Sequence, residues 1–161
     1  MKTTNPEHIK VLLDLINRGL YYELLSMKVC ELDIGYSRVE VDLESKHLNP
    51  LGVIHGGVYA SVIDTAAYWA VYCELEENIG LTSLDIKVDN LSIIEEGKMI
   101  IEGKSLKIGR SICLAEATAK DIHGKLLAHG TSKLMVVPWH TSINHAIEAM
   151  GHCVLPSKFI N

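Results

Sequence analysis

Long uninterrupted hydrophobic runs are missing from this 161-residue chain. The longest nearly uncharged stretch, Val58 to Cys73, has 16 residues and contains Asp64. A membrane-spanning helix needs ~20 apolar residues, so this stretch reads as a buried core helix. Proline is scarce, with four residues, and the 12 glycines follow no period, which excludes collagen-like and low-complexity chains. Phenylalanine occurs once, as Phe159. Cys30, Cys73, Cys113 and Cys153 form no CxxC pair, and the first 25 residues lack the apolar stretch and cleavage site of a signal peptide. The thiols are therefore expected to be reduced and the protein cytoplasmic. Positive charge is also sparse. With three arginines and a net charge of −5, the chain is a poor candidate for wrapping nucleic acid phosphates, and no membrane partner is expected.

What is present suits one globular domain over residues 1–161, with 48% hydrophobic and 22% charged residues. The charge is uneven. Residues 1–86 hold 13 acids and 6 bases, whereas residues 87–133 hold 6 acids and 8 bases. Lys104, Lys107 and Arg110 make a local basic cluster that is either a solvated strand-loop surface or a hold for one small phosphorylated ligand.

Hydrophobic spacing predicts a helix over about residues 6–25, where Ile9, Leu12, Leu13, Ile16 and Leu20 recur and Arg18-Gly19 interrupts late. Val29 to Leu43 reads as strand, with Val39, Val41 and Leu43 alternating with Glu40, Asp42 and Glu44. After the turn formers of residues 47–52, the apolar helix is expected over about residues 57–78, with Gly80 closing it. Strand spacing returns from Leu84. Turns at residues 95–98, 107–110 and 121–124 separate strands at Met99–Leu106, Ile112–Thr118 and Leu126–Val137. The expected class is α+β, with one antiparallel sheet packed around a central helix. The tail, residues 138–161, is expected to be a loop with a short helix near Ser142–Met150.

Asp64 stands out, because Ile63, Ala66, Ala67 and Trp69 flank it and no Lys or Arg occurs from Val58 to Asn78. A carboxylate there must be hydrogen-bonded, paired, or at a water-filled cavity. Gly57, Ser61, Asp64, Thr65 and Tyr68 share one face of the helix, a polar stripe on an apolar rod. Such a stripe faces a cavity, a partner subunit or solvent, and an isolated core aspartate can equally serve only to bond a backbone or tyrosine group. His55-Gly56-Gly57 stands at the helix entrance, where unpaired N–H groups and the positive end of the dipole point outward. Fixed donors with no side chain in the way suit a developing oxyanion, although such a triplet is also an ordinary tight turn.

Together these residues resemble the hotdog-fold acyl-CoA thioesterases, and within them the phenylacetate-degradation branch, which acts on aryl- and acyl-CoA thioesters. The resemblance rests on residues 49–57 (Asn49-Pro50-Leu51-Gly52-Val53-Ile54-His55-Gly56-Gly57), Asp64, residues 81–86, Gly109-Arg110 and residues 121–130, in the family's order. It covers roughly residues 30–137, between the N-terminal helix and the tail. It implies a hotdog fold, an antiparallel β-sheet wrapped around a long central α-helix and paired in dimers, with further pairing into tetramers expected. By the same resemblance Asp64 is the catalytic carboxylate, general base or nucleophile, and the Gly56 N–H polarises the thioester carbonyl. Asn49 and His55 line that carbonyl or the thiolate side, and Gly57 belongs to the same substrate-binding turn. Ser83, or else Thr82, positions water beside the acid. Tyr68, Trp69 and the first helix line the acyl pocket, and Lys107, Gly109 and Arg110 lie near the nucleotide end of coenzyme A. No cofactor or metal is implied. Leu91-Ser92-Ile93-Ile94 departs from the Phe-Leu-x-Pro common in this branch, as does the tail.

Gly56 and Asp64 are eight residues apart, ~12 Å along one helix. Attack needs reacting atoms within ~3–3.5 Å, so the spacing predicts composite sites in a homodimer. Asn49, His55 and Gly56 would come from one chain, and Asp64 and Ser83 from the other. The main alternative is a non-catalytic acyl-CoA sensor with the same pocket and dimer. A hotdog hydratase would place His five residues after the aspartate, where this chain has Trp69. A DNA-binding repressor would need a helix-turn-helix for which ~25 leading residues are too few. A Ser61-His55-Asp64 triad lacks the GxSxG elbow. His140, His145, His152 and Cys153 in the tail do not follow zinc-ligand spacing.

Overall fold

The computed structural model describes residues 2–138, 143–149 and 154–160. Helix α1 spans Pro6–Ile16 and starts where its sequence dictates. The Asn5 side chain accepts from the Glu7 N–H, and Pro6 supplies a preset φ in the first turn. Its buried face carries Leu12 into the core. The helix expected to reach residue 25 is instead divided. The chain turns tightly at Arg18 and Gly19, and α2 covers only Leu20–Leu24. Asn17 explains the stop, since its amide pairs with both the N–H and the C=O of Val29 and ties the end of α1 to the first long strand.

A two-residue strand β1, Thr3–Thr4, precedes α1. The stretch read as a single strand over 29–43 is a hairpin of β2, Met27–Asp33, and β3, Tyr36–Leu43. Gly35 makes the reversal at φ +69°, a left-handed conformation that glycine adopts without strain. The central helix α3 covers Gly56–Tyr72, shorter than expected at its end. Gly80 does not close it but opens β4, Gly80–Asn90. Strands β5, Gly97–Lys107, β6, Ile112–Asp121, and β7, Leu126–Val137, form the predicted meander. The six strands run antiparallel in the order β2-β3-β5-β6-β7-β4.

The sheet wraps α3, as its nearly all-round apolar surface requires. Val39, Val41, Ile101 and Leu127 pack on Val62, Ile63 and Ala66 in the larger core cluster. Val71, Leu81, Cys113 and Leu134 form a smaller one toward the C-terminal half of the helix. Gly103 permits the closest approach, because a Cβ there would overlap the Ala66 carbonyl oxygen and Ser37 Oγ. Ser37 donates to that same carbonyl at 2.6 Å.

The tail returns to the N-terminal region. Helix α4 spans Ile143–Ala149, within the predicted span, and β8, Phe159–Ile160, pairs with β1. Among the described residues no helix is long and apolar enough to cross a membrane.

Candidate active site

Asp64 lies midway along α3, and Ser83 lies on β4, an edge strand of the sheet. The Ser83 hydroxyl donates to Asp64 Oδ1 at 2.7 Å. Ser83 rather than Thr82 is therefore the hydroxyl that the fold presents to the acid. Asp64 is half-buried, not enclosed. It opens on a cleft of about 680 Å³ shared with Tyr21, Tyr22, Ser61, Tyr68, Trp69 and Ile143. The polar stripe read from the sequence thus faces a cavity, with Ser61, Asp64, Thr65 and Tyr68 all on its wall.

The wall is stiff and mainly aromatic. Trp69 Nε1–H donates to the Tyr22 hydroxyl at 2.7 Å, and the Tyr68 and Trp69 rings meet edge to face at 5.1 Å. Burial pushes the Tyr68 hydroxyl up to about 12, with Tyr22 and Asp64 adding to the rise. Tyr68 therefore stays neutral as a donor near physiological pH. Ser61 is engaged elsewhere, donating to the Gly57 carbonyl at 3.0 Å and sharing a hydrogen bond with Tyr21 at 2.6 Å. Among the described residues no bond joins Ser61 to His55, and the triad has no geometric basis.

At the other end of the pattern His55 is the N-cap of α3. Its Nδ1 accepts from the Gly57 N–H at 2.8 Å, so the neutral ring carries its proton on Nε2. Its own N–H donates to the His47 carbonyl at 2.9 Å. His47 is buried and fully satisfied, with Nδ1 accepting from the Glu44 N–H and Nε2–H donating to the Leu25 carbonyl. This chain of bonds fixes the helix entrance and occupies Gly57, while no described residue accepts from the Gly56 N–H. Asn49 sits in the preceding loop, its Oδ1 accepting from Leu51 and Val53.

Gly56 opens on a separate cleft of about 440 Å³ with Tyr59, Asn90, Ser92 and Lys125. Asn90 Nδ2 lies 3.1 Å from where a Cβ on Gly56 would stand. One chain accordingly keeps the N–H donor and the carboxylate in two clefts, ~12 Å apart along α3. Lys107 ends β5, and Gly109 and Arg110 make the β5–β6 turn. Register places Cys113 beside Leu134 and Leu134 beside Ser83. The base of that turn is therefore about two strand spacings, ~10 Å, from the acid's partner.

Sequence reasoning anticipated Tyr68, Trp69 and a contribution from the first helical region, which proves to be Tyr21 and Tyr22 of α2. It missed Ile143 and Asn90. Asn90 ends a strand and carries no local signal, and Ile143 reaches the cleft only through the path of the tail. Of the four tail residues weighed as metal ligands, His140, His152 and Cys153 lie outside the described residues. Among the described residues no cluster of three potential ligands occurs.

Residues 51–128 match the Thioesterase superfamily. The chain is 30% identical over 105 residues to the Putative esterase SSO2140 of Saccharolobus solfataricus, covering 65% of this chain and 74% of that protein. The chain belongs to the thioesterase superfamily. It is also 30% identical over 93 residues to acyl-coenzyme A thioesterase 13 of Mus musculus, covering 56% of this chain and 66% of that one. The crystal structure of thioesterase HI1161 from Haemophilus influenzae superimposes with a TM-score of 0.77 at 20% identity, over 86% of this chain and 96% of that one. The hotdog fold is therefore common to the family and to this protein. Asp64, Ser83 and Gly56 all lie within the matched segment, whereas α2 and α4 lie outside it.

Proposed function

We propose that the protein hydrolyses acyl- or aryl-CoA thioesters to the free acid and coenzyme A, without a cofactor, at composite sites of a homodimer. The observation that carries this reading is the Asp64–Ser83 pair on a cleft with aromatic walls. A carboxylate held by a hydroxyl and open to water is arranged as a general base. Asp64 takes a proton from water as the water oxygen attacks the thioester carbonyl carbon. The oxygen of the tetrahedral intermediate gathers charge against the Gly56 N–H of the partner subunit, at the positive end of a helix. The carbon–sulfur bond then breaks, the electron pair leaves with the thiolate, and the proton on Asp64 returns to the products.

Three features support the dimer. The acid and the oxyanion donor are too far apart within one chain. Strand β4 is an unpaired sheet edge. Leu84 and Ile86 on that strand are 50% and 37% exposed, which is unfavourable unless a second copy covers them. The likeness to acyl-coenzyme A thioesterase 13 supports coenzyme A as the carrier. Lys107 and Arg110 are suited to its phosphates, Asn49 and His55 shape the entrance beside Gly56, and a cytoplasmic site of action agrees with the free thiols of Cys30, Cys73 and Cys113 among the described residues.

A thiol-release assay with short, medium, long and aromatic acyl-CoA thioesters tests the reading. Asp64→Asn is expected to lower turnover ~10²-fold or more, the scale of a lost general base. Equal turnover in parent and variant would overturn the assignment of Asp64. Binding of acyl-CoA without release from any thioester would make the protein a sensor rather than an enzyme.

A further inference from the structure

The cleft beside Asp64 has two kinds of wall. Ser61, Asp64, Thr65, Tyr68 and Ser83 belong to α3 and β4, inside the segment matched to the family. Ile143 belongs to α4, which follows that segment by more than a dozen residues. Ile143 is partly buried against the main core and at the same time lines the cleft. Its surface is wholly apolar and offers nothing to a polar group.

Helix α4 is anchored on the C-terminal side of Ile143's contact with the cleft. Ile147, one turn further on, is 1% exposed within the main core cluster, and Leu155 joins the same cluster. Beyond them Lys158 is 3% exposed, and its ammonium donates to the carbonyls of Tyr72, Leu75 and Glu76 at 3.1, 2.9 and 3.3 Å. It also stands 3.9 Å over the Tyr72 ring. His8 holds the same tail segment by donating from Nδ1 to the Pro156 carbonyl at 2.7 Å. Ile147 in the core cluster, with Ile143 packed against it, sets α4 as a wall of the cleft.

We infer that α4 limits the acyl group that the cleft accepts, and that Ile143 is the specificity-determining side chain. The inference rests on the reading of the cleft as an acyl pocket. The ligand it selects ends in a hydrocarbon, alkyl or aryl, whose permitted length depends on the bulk at position 143. One methylene too many or too few in an apolar pocket changes discrimination by ~10–200-fold.

The experiment compares the parent with Ile143→Ala and Ile143→Trp on straight-chain thioesters from acetyl- to palmitoyl-CoA. The readout is the ratio of kcat/KM for each chain to that for the shortest one hydrolysed. Binding of the matching S-alkyl-CoA thioethers, which cannot be hydrolysed, is measured in parallel. Ile143→Ala is expected to move the preferred length upward and raise the ratio for chains beyond the parent optimum about 10-fold. Ile143→Trp is expected to move it downward. Superimposable length profiles in all three folded proteins would overturn the role of Ile143 while leaving the hydrolase reading standing. Shifted thioether binding without hydrolysis in any of them would support the wall and overturn the hydrolase reading. If none of the thioethers binds the parent, the acyl-pocket reading and this inference fall together.

Discussion

The Ser83 hydroxyl donates to Asp64 Oδ1 across 2.7 Å, joining the middle of the central helix to an edge strand of the sheet. The bond orients the carboxylate toward the cleft and leaves its other oxygen for a water. Ser83→Ala is expected to lower kcat about 10-fold, the scale of one lost hydrogen bond to a charged group. Thr82→Ala should leave it close to the parent. Steady-state kinetics on the best thioester checks the pair, and equal losses in both variants would deny Ser83 its positioning role.

The composite site predicts complementation. Gly56 is the first residue of α3, a position where proline is tolerated; it removes the N–H and adds a Cβ 3.1 Å from the Asn90 amide nitrogen, a side-chain atom that shifts by a few tenths of an ångström. His55, at φ −63° and ψ 137°, already has the extended backbone that precedes proline. Gly56→Pro and Asp64→Asn should each lower turnover ~10²-fold or more. Mixed in one population of dimers, they should restore about a quarter of parental activity, because half the dimers carry one intact site in two. Mixtures as inactive as their components would place the whole site within one chain.

Acid should loosen the contact between the termini and α3. His8 is buried, and desolvation holds its pKa below the ordinary 6.5, outweighing the opposing bond to Pro156. A carbonyl only accepts, so Nδ1 keeps the proton and Nε2 accepts from the Tyr72 hydroxyl at 2.9 Å. The unfolded chain then binds a proton more readily than the folded one. The stability contributed by neutral His8 is complete above pH 6.5 and is lost as pH falls from there through the lower folded value. Thermal unfolding of the parent should fall more steeply between pH 7 and pH 5 than that of His8→Gln. Parallel curves would refute this.

Lys158 has a shift of the same sign at higher pH. Burial pushes its ammonium down to about 8 from 10.5, with Cys73 and Glu77 resisting the shift and Lys2 assisting it. Between those two values the unfolded chain holds a proton that the folded chain has released, so stability rises with pH across that window. Relative to Lys158→Met, the parent should gain stability from pH 8 to pH 10.5. Chemical denaturation at a series of pH values measures the difference, and a flat difference would show that the lysine titrates normally.

Gly103 gives a packing test. A Cβ there would overlap the Ala66 carbonyl oxygen, a backbone atom that cannot swing aside. Gly103→Ala should cost ~1–3 kcal/mol as overpacking, seen as a lower denaturation midpoint. An unchanged midpoint would mean that β5 can move away from α3 freely.

The elements legible in the sequence were those with local rules. Alternation marked the meander of β5, β6 and β7, and β7 keeps the predicted bounds of Leu126–Val137. Asp64 was legible because a carboxylate in an apolar helix requires a reason. The hairpin of β2 and β3 was not, because Gly35 interrupts an otherwise continuous alternation and the left-handed turn leaves no other mark. The end of α3 was misplaced for a different reason. Residues 73–78 remain compatible with a helix, and the Tyr72 carbonyl that ends α3 and the Leu75 and Glu76 carbonyls beyond it accept from Lys158, far away in the sequence. Ile143 was hidden for the same cause, since only the tertiary path of the tail brings it to Asp64's cleft.

The placement of Lys158 also bears on the order in which the chain folds. The ammonium follows the Tyr72 carbonyl by 86 positions and the Leu75 carbonyl by 83. During synthesis the central helix and all six strands of the main sheet leave the ribosome first, with the Tyr72 carbonyl and those just beyond α3 still lacking this partner. Closure of such a long loop carries an entropic cost that is met only when the contact forms. The contacts that need the tail, Lys158 on the Tyr72 carbonyl and β8 on β1 among them, can form only after the residues of the Asp64–Ser83 pair have been made. A nascent chain halted after β7 would carry the acid and its hydroxyl but lack the α4 wall of their cleft.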